Sequence, residues 1–163
     1  LILMIPFSMI GVVWGHYFHD FSIGILSWLG IIALIGIMVN DGLVLIGKFN
    51  TYLKEGMKYD EALIQAGKSR FRAIVLTSIT TIAGLAPLLL EKSRQAQFLK
   101  PMAISISYGI AIATILTLVL LPLLLSVSNQ IKVIIKWLKT GEKVTQEEVE
   151  RAIIESKLVH DEE

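Results

Sequence analysis

The stretch Ile23-Gly-Ile-Leu-Ser-Trp-Leu-Gly-Ile-Ile-Ala-Leu-Ile-Gly-Ile-Met-Val-Asn-Asp-Gly-Leu-Val-Leu-Ile46 holds one charged side chain, Asp41. A helix of roughly 20 apolar residues crosses a hydrocarbon core of about 30 Å, so this stretch reads as a membrane span. The same pattern recurs on both sides of it. Residues 1–47 contain only two charges, Asp20 and Asp41, and residues 73–90 and 101–131 contain none. Four spans are predicted, at about 1–18, 23–46, 71–90 and 102–127. The fold class is all-α and polytopic. With 54% hydrophobic and 18% charged residues, against about 25% charged in soluble domains, the chain is neither an ordinary globular domain nor disordered.

The connections set an orientation. Residues 48–72 carry Lys48, Lys54, Lys58, Lys68, Arg70 and Arg72, and the tail carries Lys132, Lys136, Lys139, Lys143, Arg151 and Lys157. The connection 91–100 carries only Lys92, Arg94 and Lys100, and the first turn, 16–22, carries no lysine or arginine. An even number of crossings puts the 48–72 loop and the tail on one side. Positive charge stays in the cytoplasm, so both are predicted to be cytoplasmic. Within the loop, Asp60-Glu61-Ala62-Leu63-Ile64-Gln65-Ala66 favours helix, with acids in its first turn. Tyr59, Leu63, Ala66 and Arg70 recur at helical spacing, so residues 59–70 read as an amphipathic helix on the membrane surface. The tail, 128–163, opens with alternating basic and apolar residues at 131–138. Thr145-Gln-Glu-Glu148 is a capping-box pattern. It heads an expected helix with Val149, Ala152, Ile153 and Leu158 on one face, read as solvated.

The net charge of +1 excludes a strongly basic nucleic-acid-binding domain. The absence of cysteine removes disulfides, thiolate metal sites and a cysteine nucleophile. No Gly-x-Ser-x-Gly, Walker loop or His-Glu-x-x-His is present. An intramembrane aspartyl protease needs two acids, and the spans offer one. No enzymatic activity and no cofactor are expected. His16, His19 and Asp20 lie close in sequence, but with Tyr17 and Phe18 they read as an aromatic interface belt, and no metal is expected. The chain opens on Leu1 inside an apolar run without a charged leader. It is therefore expected to be the C-terminal fragment of a longer membrane protein, not to begin with a signal peptide.

Chemistry concentrates at Asn40 and Asp41, in the cytoplasmic half of the second span. A carboxylate in hydrocarbon is costly, so an intramembrane ionisable group is a functional-site hypothesis by default. Ala33, Gly36, Asn40 and Gly47 form one small and polar stripe, suited to close helix approach and to hydrogen bonds across helices. Arg70, Thr77, Thr81 and Gly84 form a similar stripe on the third span. A single membrane threonine often just bonds the carbonyl one turn back. A stripe headed by arginine is less easily explained that way. Gly36, Thr81 and Gly84 are expected to pack helices. Pro87 and Pro122 are expected to bend their spans.

Val39-Asn-Asp-Gly-Leu-Val-Leu-Ile-Gly-Lys-Phe-Asn50, Glu61-Ala-Leu-Ile-Gln-Ala-Gly67 and Arg70-Phe-Arg-Ala-Ile-Val-Leu-Thr-Ser-Ile-Thr-Thr-Ile-Ala-Gly-Leu-Ala-Pro-Leu88 resemble segments of resistance–nodulation–division efflux transporters. Ile5-Pro-Phe-Ser-Met-Ile-Gly11, Lys100-Pro-Met-Ala103 and the stretch from Thr117 to Pro122 resemble others, in the same order. The likeness covers residues 3–127 and not the tail. It implies the last four helices of a twelve-helix bundle and a homotrimeric antiporter of the bacterial inner membrane that takes up protons and expels drugs or other amphiphiles. It also implies a periplasmic adaptor protein, an outer-membrane channel and the upstream part of the same transporter as partners. A proton relay in the family then corresponds to Asn40, Thr77 and Arg70. Asn40 stands where the best-known drug exporters have lysine, and an amide cannot lower an aspartate pKa as a cation does. Arg70 then takes more of that role, or the coupling differs. Asp41 adds a titratable group. Gly47, Lys48 and Ala73 also depart from the family pattern. A membrane scaffold or protein-translocation accessory of related fold, and a truncated relic, remain as alternatives.

Overall fold

The computed structural model describes residues 2–140, 145, 146, 149, 150 and 153. The described chain is helical, without strands. A short 3₁₀ turn, Ile2–Met4, leads into α1 (Ile5–His19). Next come α2 (Ile25–Lys54), α3 (Tyr59–Leu90), α4 (Arg94–Ile115), a π-helical turn (Leu116–Leu120) and α5 (Leu121–Thr140). Four of these runs are long and apolar enough to cross a membrane: Ile2–His19, Ile25–Lys54, Tyr59–Leu90 and Arg94–Leu138. The chain is part of an integral membrane protein.

The helix ends follow known chemistry. α1 closes with Asp20 in the left-handed region at φ 55°, its N–H on the Tyr17 carbonyl and the Phe21 N–H on that of His16. α2 closes in the same way around Gly56 at φ 86°, with N–H bonds from Gly56 to Leu53 and from Met57 to Tyr52. Both are Schellman motifs, and glycine takes the second without strain. Ser93 caps α4 by accepting from the Ala96 N–H at 3.3 Å. The wide turn at Leu116–Leu120 lies just before Pro122, whose missing N–H disturbs the regular ladder. The Leu121 N–H reaches back to the Leu116 carbonyl.

The chain divides into two compact units. The first comprises residues 1–43 and 71–121, and α4 is its hub. A methyl group on Gly15 would fall 2.6 Å from the Tyr108 ring, and one on Gly30 would fall 2.7 Å from the Met102 carbonyl oxygen. Gly11 also faces Tyr108 and Ile112, and Gly109 faces Leu34. These glycines let α1 and α2 press against α4, the close packing that membrane helices use in place of a hydrophobic drive. The hydroxyls of Ser78 on α3 and Thr114 on α4 are hydrogen-bonded.

The second unit comprises residues 44–70 and 122–163. Its core is Phe49, Leu53, Tyr59, Ala62, Leu63 and Ala66, with Leu125 and Ile153 packed against it. Phe49 and Tyr59 meet edge to face at 5.2 Å. The amphipathic pattern at 59–70 is therefore satisfied by protein, not by a lipid surface, and the segment is the first part of α3 rather than a separate helix. Tyr59 lies well before the charge-free stretch that begins at Ala73. Burial, and then the Glu150 and Asp60 carboxylates, push its phenol above the usual range, so it stays protonated. Ile153 is packed rather than solvated. Ala152, Leu158 and most of the capping-box segment lie outside the described residues.

Candidate functional site

The buried face of α2 in the first unit runs through Ser27, Gly30, Ile31, Leu34, Met38 and Gly42. These recur every three or four residues, so one side of the helix is committed to packing. Asn40 is two residues from both Met38 and Gly42, and so projects to the opposite side. It is exposed, as are Ala33 and Gly36, and Asp41 beside it is half-buried. Neither side chain has a hydrogen bond among the described residues. Asn40 lies about 22 Å along a helix that starts at Ile25, near its middle. The small stripe expected to pack thus faces away from every helix of this unit. A methyl group on Gly36 would meet nothing within 4 Å.

On α3, Ile74 and Ser78 are buried, while Ala73, Thr77, Thr80 and Gly84 are exposed along the other side. Gly84, like Gly36, has no close neighbour, and neither glycine packs a helix here. The threonine hydroxyls donate one turn back: Thr77 to the Ala73 carbonyl at 2.9 Å, Thr80 to that of Leu76 at 2.9 Å and Thr81 to that of Thr77 at 2.8 Å. Those bonds satisfy the donors, while each hydroxyl oxygen can still accept. The two open faces, one around Asn40 and one around Thr77, carry polar groups in a membrane segment, and among the described residues no other helix bonds to them.

Arg70 belongs to the second unit. It is half-buried, and its Nε is buried with no acceptor among the described residues. A guanidinium N–H in that state is costly to leave alone.

Sequence reasoning missed a polar cluster at the other end of the first unit. His16 is buried. Its Nδ1 lies 2.9 Å from the Val12 carbonyl and its Nε2 lies 2.8 Å from Ser27 Oγ, which also accepts the Gly24 N–H at 3.2 Å. His19 Nε2 is 3.1 Å from the Tyr108 hydroxyl. These bonds tie α1 to α2 and to α4. No group of three metal-ligating side chains occurs among the described residues. The exposed rings of Trp14, Tyr17 and Phe18 sit around the cluster. The Gly11-x-x-x-Gly15 spacing was the visible sign that this end of α1 packs closely.

The family model for AcrB/AcrD/AcrF matches residues 1–128. The chain belongs to this family. The swarming motility protein SwrC of Bacillus subtilis is 34% identical over 128 residues, 78% of this chain and 12% of that protein. The nickel-cobalt-cadmium resistance protein NccA of Alcaligenes xylosoxydans xylosoxydans is 31% identical over 118 residues, 72% of the chain and 11% of its own length. The multidrug resistance protein MdtC of Proteus mirabilis is 29% identical over 121 residues, 74% of the chain and 12% of its own length. The chain thus spans only 11–12% of the length of these curated relatives. No solved structure matches it. Residues 129–163 lie outside the AcrB/AcrD/AcrF match.

Proposed function

We propose that this chain is part of an efflux transporter of the bacterial inner membrane, driven by proton uptake and exporting drugs or other amphiphiles. The observation that carries the reading is Asn40 and Asp41, mid-helix in a membrane span, on and beside a face that the described residues leave open. Polar groups in such a place are costly unless other membrane helices or water meet them. Family membership makes the rest of the transporter the natural cover. It also supports export, since relatives are named for metal resistance and for multidrug resistance.

In this reading the acids that take up protons lie on helices outside this chain. Asn40 offers them a neutral amide, and Thr77 offers a hydroxyl oxygen that can still accept. Arg70 brings the positive charge that an asparagine cannot, and such a charge holds a nearby carboxylate ionised until a proton arrives. Protonation then changes which of these groups a carboxyl can bond, and the helices shift between two arrangements. Asp41 adds a second titrating group. The transporter works as a homotrimer with a periplasmic adaptor and an outer-membrane channel, and the 48–72 segment and the tail are cytoplasmic. No catalytic step is assigned to the chain.

The test uses the parent transporter in everted membrane vesicles. Thr77→Ala and Arg70→Ala should each cut proton-driven efflux by at least about tenfold, the scale of one lost charge-assisted or well-placed hydrogen bond, without lowering protein level. Full efflux in both variants would refute the assignment. A parent that supports no efflux of any amphiphile would favour the scaffold.

A further inference from the structure

The turn after α1 and the first residues of α2 stand across from the start of α4, and the cleft between them encloses about 420 Å³. Phe21, Ile25 and Leu26 line one wall, and Phe98 and Pro101 line the other. Ser22 and Gln97 are the polar side chains along it. A methyl group on Gly24, in the same wall as Ile25, would meet nothing within 4 Å, so the space is open. Its size is that of an ordinary small-molecule site. Phe98 is shared with a second cavity of about 540 Å³, which Arg94, Gln95 and Leu99 also line. The two spaces adjoin at this exposed ring.

The place and the charge both point to lipid. α1 ends at His19, α2 begins at Ile25 and α4 begins at Arg94, so the cleft lies where three spans leave the hydrocarbon, at headgroup level. The exposed rings of Tyr17, Phe18 and Trp28 are of the kind that collects there. Arg94 makes no ion pair among the described residues. Lys100, next to Pro101, is buried and makes none either. Among the described residues no acid lines either cavity. The Glu91 carboxylate is engaged with backbone, accepting from the Lys92 and Ser93 N–H groups at 3.0 Å each.

We propose that this cleft holds one anionic phospholipid of the surrounding leaflet, with an acyl chain between Leu26 and Phe98 and the phosphate at Arg94. An apolar slot by itself accepts any chain. A guanidinium beside it, with no carboxylate to occupy it, selects an anion, because arginine grips phosphate through parallel N–H bonds. Free phosphate leaves the slot empty, and a neutral lipid leaves Arg94 unmet. The proposal needs only the membrane placement of the spans and holds whatever the parent transports.

The test uses the whole parent transporter in vesicles of phosphatidylethanolamine with phosphatidylglycerol as the minority lipid. A photoreactive benzoylphenylalanine replaces Phe98, and the adducts formed on irradiation are read by mass spectrometry. Phosphatidylglycerol should exceed its share of the bilayer about fivefold, the scale of one basic side chain near an anionic lipid. Arg94→Gln should return the adducts to the bilayer ratio with lipid still attached. Gly24→Leu should fill the slot and lose most adducts of both lipids. Arg94 and Gly24 are both exposed, so neither change removes a buried contact. Adducts in the bilayer ratio, an enrichment that survives Arg94→Gln, or the absence of any lipid adduct would each overturn the assignment. So would an adduct to protein, which would mean that another part of the transporter closes the cleft.

Discussion

His16 has one arrangement that satisfies every polar atom around it. The Val12 carbonyl can only accept, so Nδ1 carries the proton. Nε2 must then accept from the Ser27 hydroxyl, whose oxygen is free to take the Gly24 N–H. Replacing His16 with alanine leaves the buried Ser27 hydroxyl without its acceptor and empties the space of the buried ring, and should destabilise the protein by about 1–3 kcal/mol. Ser27→Ala strands Nε2 and takes the acceptor from the Gly24 N–H but keeps the buried ring in place, so its effect should have the same sign and be smaller. Thermal unfolding of the purified parent protein, with the two variants side by side, checks the order. The sequence reading assigned His16 to an interface belt because Tyr17 and Phe18 flank it, and those two rings are indeed exposed. The histidine itself turns inward to a serine eleven residues away. No periodicity rule links residues across a chain reversal, so this part of the fold was not readable. The threonine bonds on α3 were readable, because a bond one turn back needs nothing beyond the helix itself.

Elements show the same division between pattern and partner. All four spans were legible, because long charge-free runs have few other uses. Which small residues pack was not, because glycine looks alike on a covered face and an open one. Gly30 presses on the Met102 carbonyl, which as backbone cannot swing aside, whereas Gly36 on the same helix meets nothing. Gly30→Ala should therefore force α2 away from α4 and destabilise by about 1–3 kcal/mol, the usual scale of overpacking. Gly36→Ala should leave the melting temperature of an isolated preparation of this region within error. A comparable loss in both variants would mean that the open face of α2 is covered in that preparation as well. The amphipathic pattern of 59–70 was legible for the same reason as the spans. Its partner was not, since a lipid surface and the Phe49–Leu53 face ask for the same apolar spacing.

For the whole molecule, sidedness decides whether the proposed relay can act as described. Twelve of the fifteen basic residues fall in the 48–72 segment and the tail, and three in the connection 91–100. Lysine and arginine near span ends are held back from translocation, so such an imbalance fixes orientation more firmly than net charge does. Lys58 is exposed in the turn between α2 and α3, and Lys92 is exposed in the turn between α3 and α4. The two turns sit at opposite ends of one helix of 32 residues, about 48 Å long and longer than the hydrocarbon core. In the proposed topology they emerge on opposite sides. Single cysteines at Lys58 and Lys92 report this directly in a parent transporter freed of other reactive cysteines. A membrane-impermeant maleimide added to intact spheroplasts should label Lys92→Cys and spare Lys58→Cys. In everted vesicles the pattern should reverse. Labelling of Lys58→Cys from outside would invert the topology.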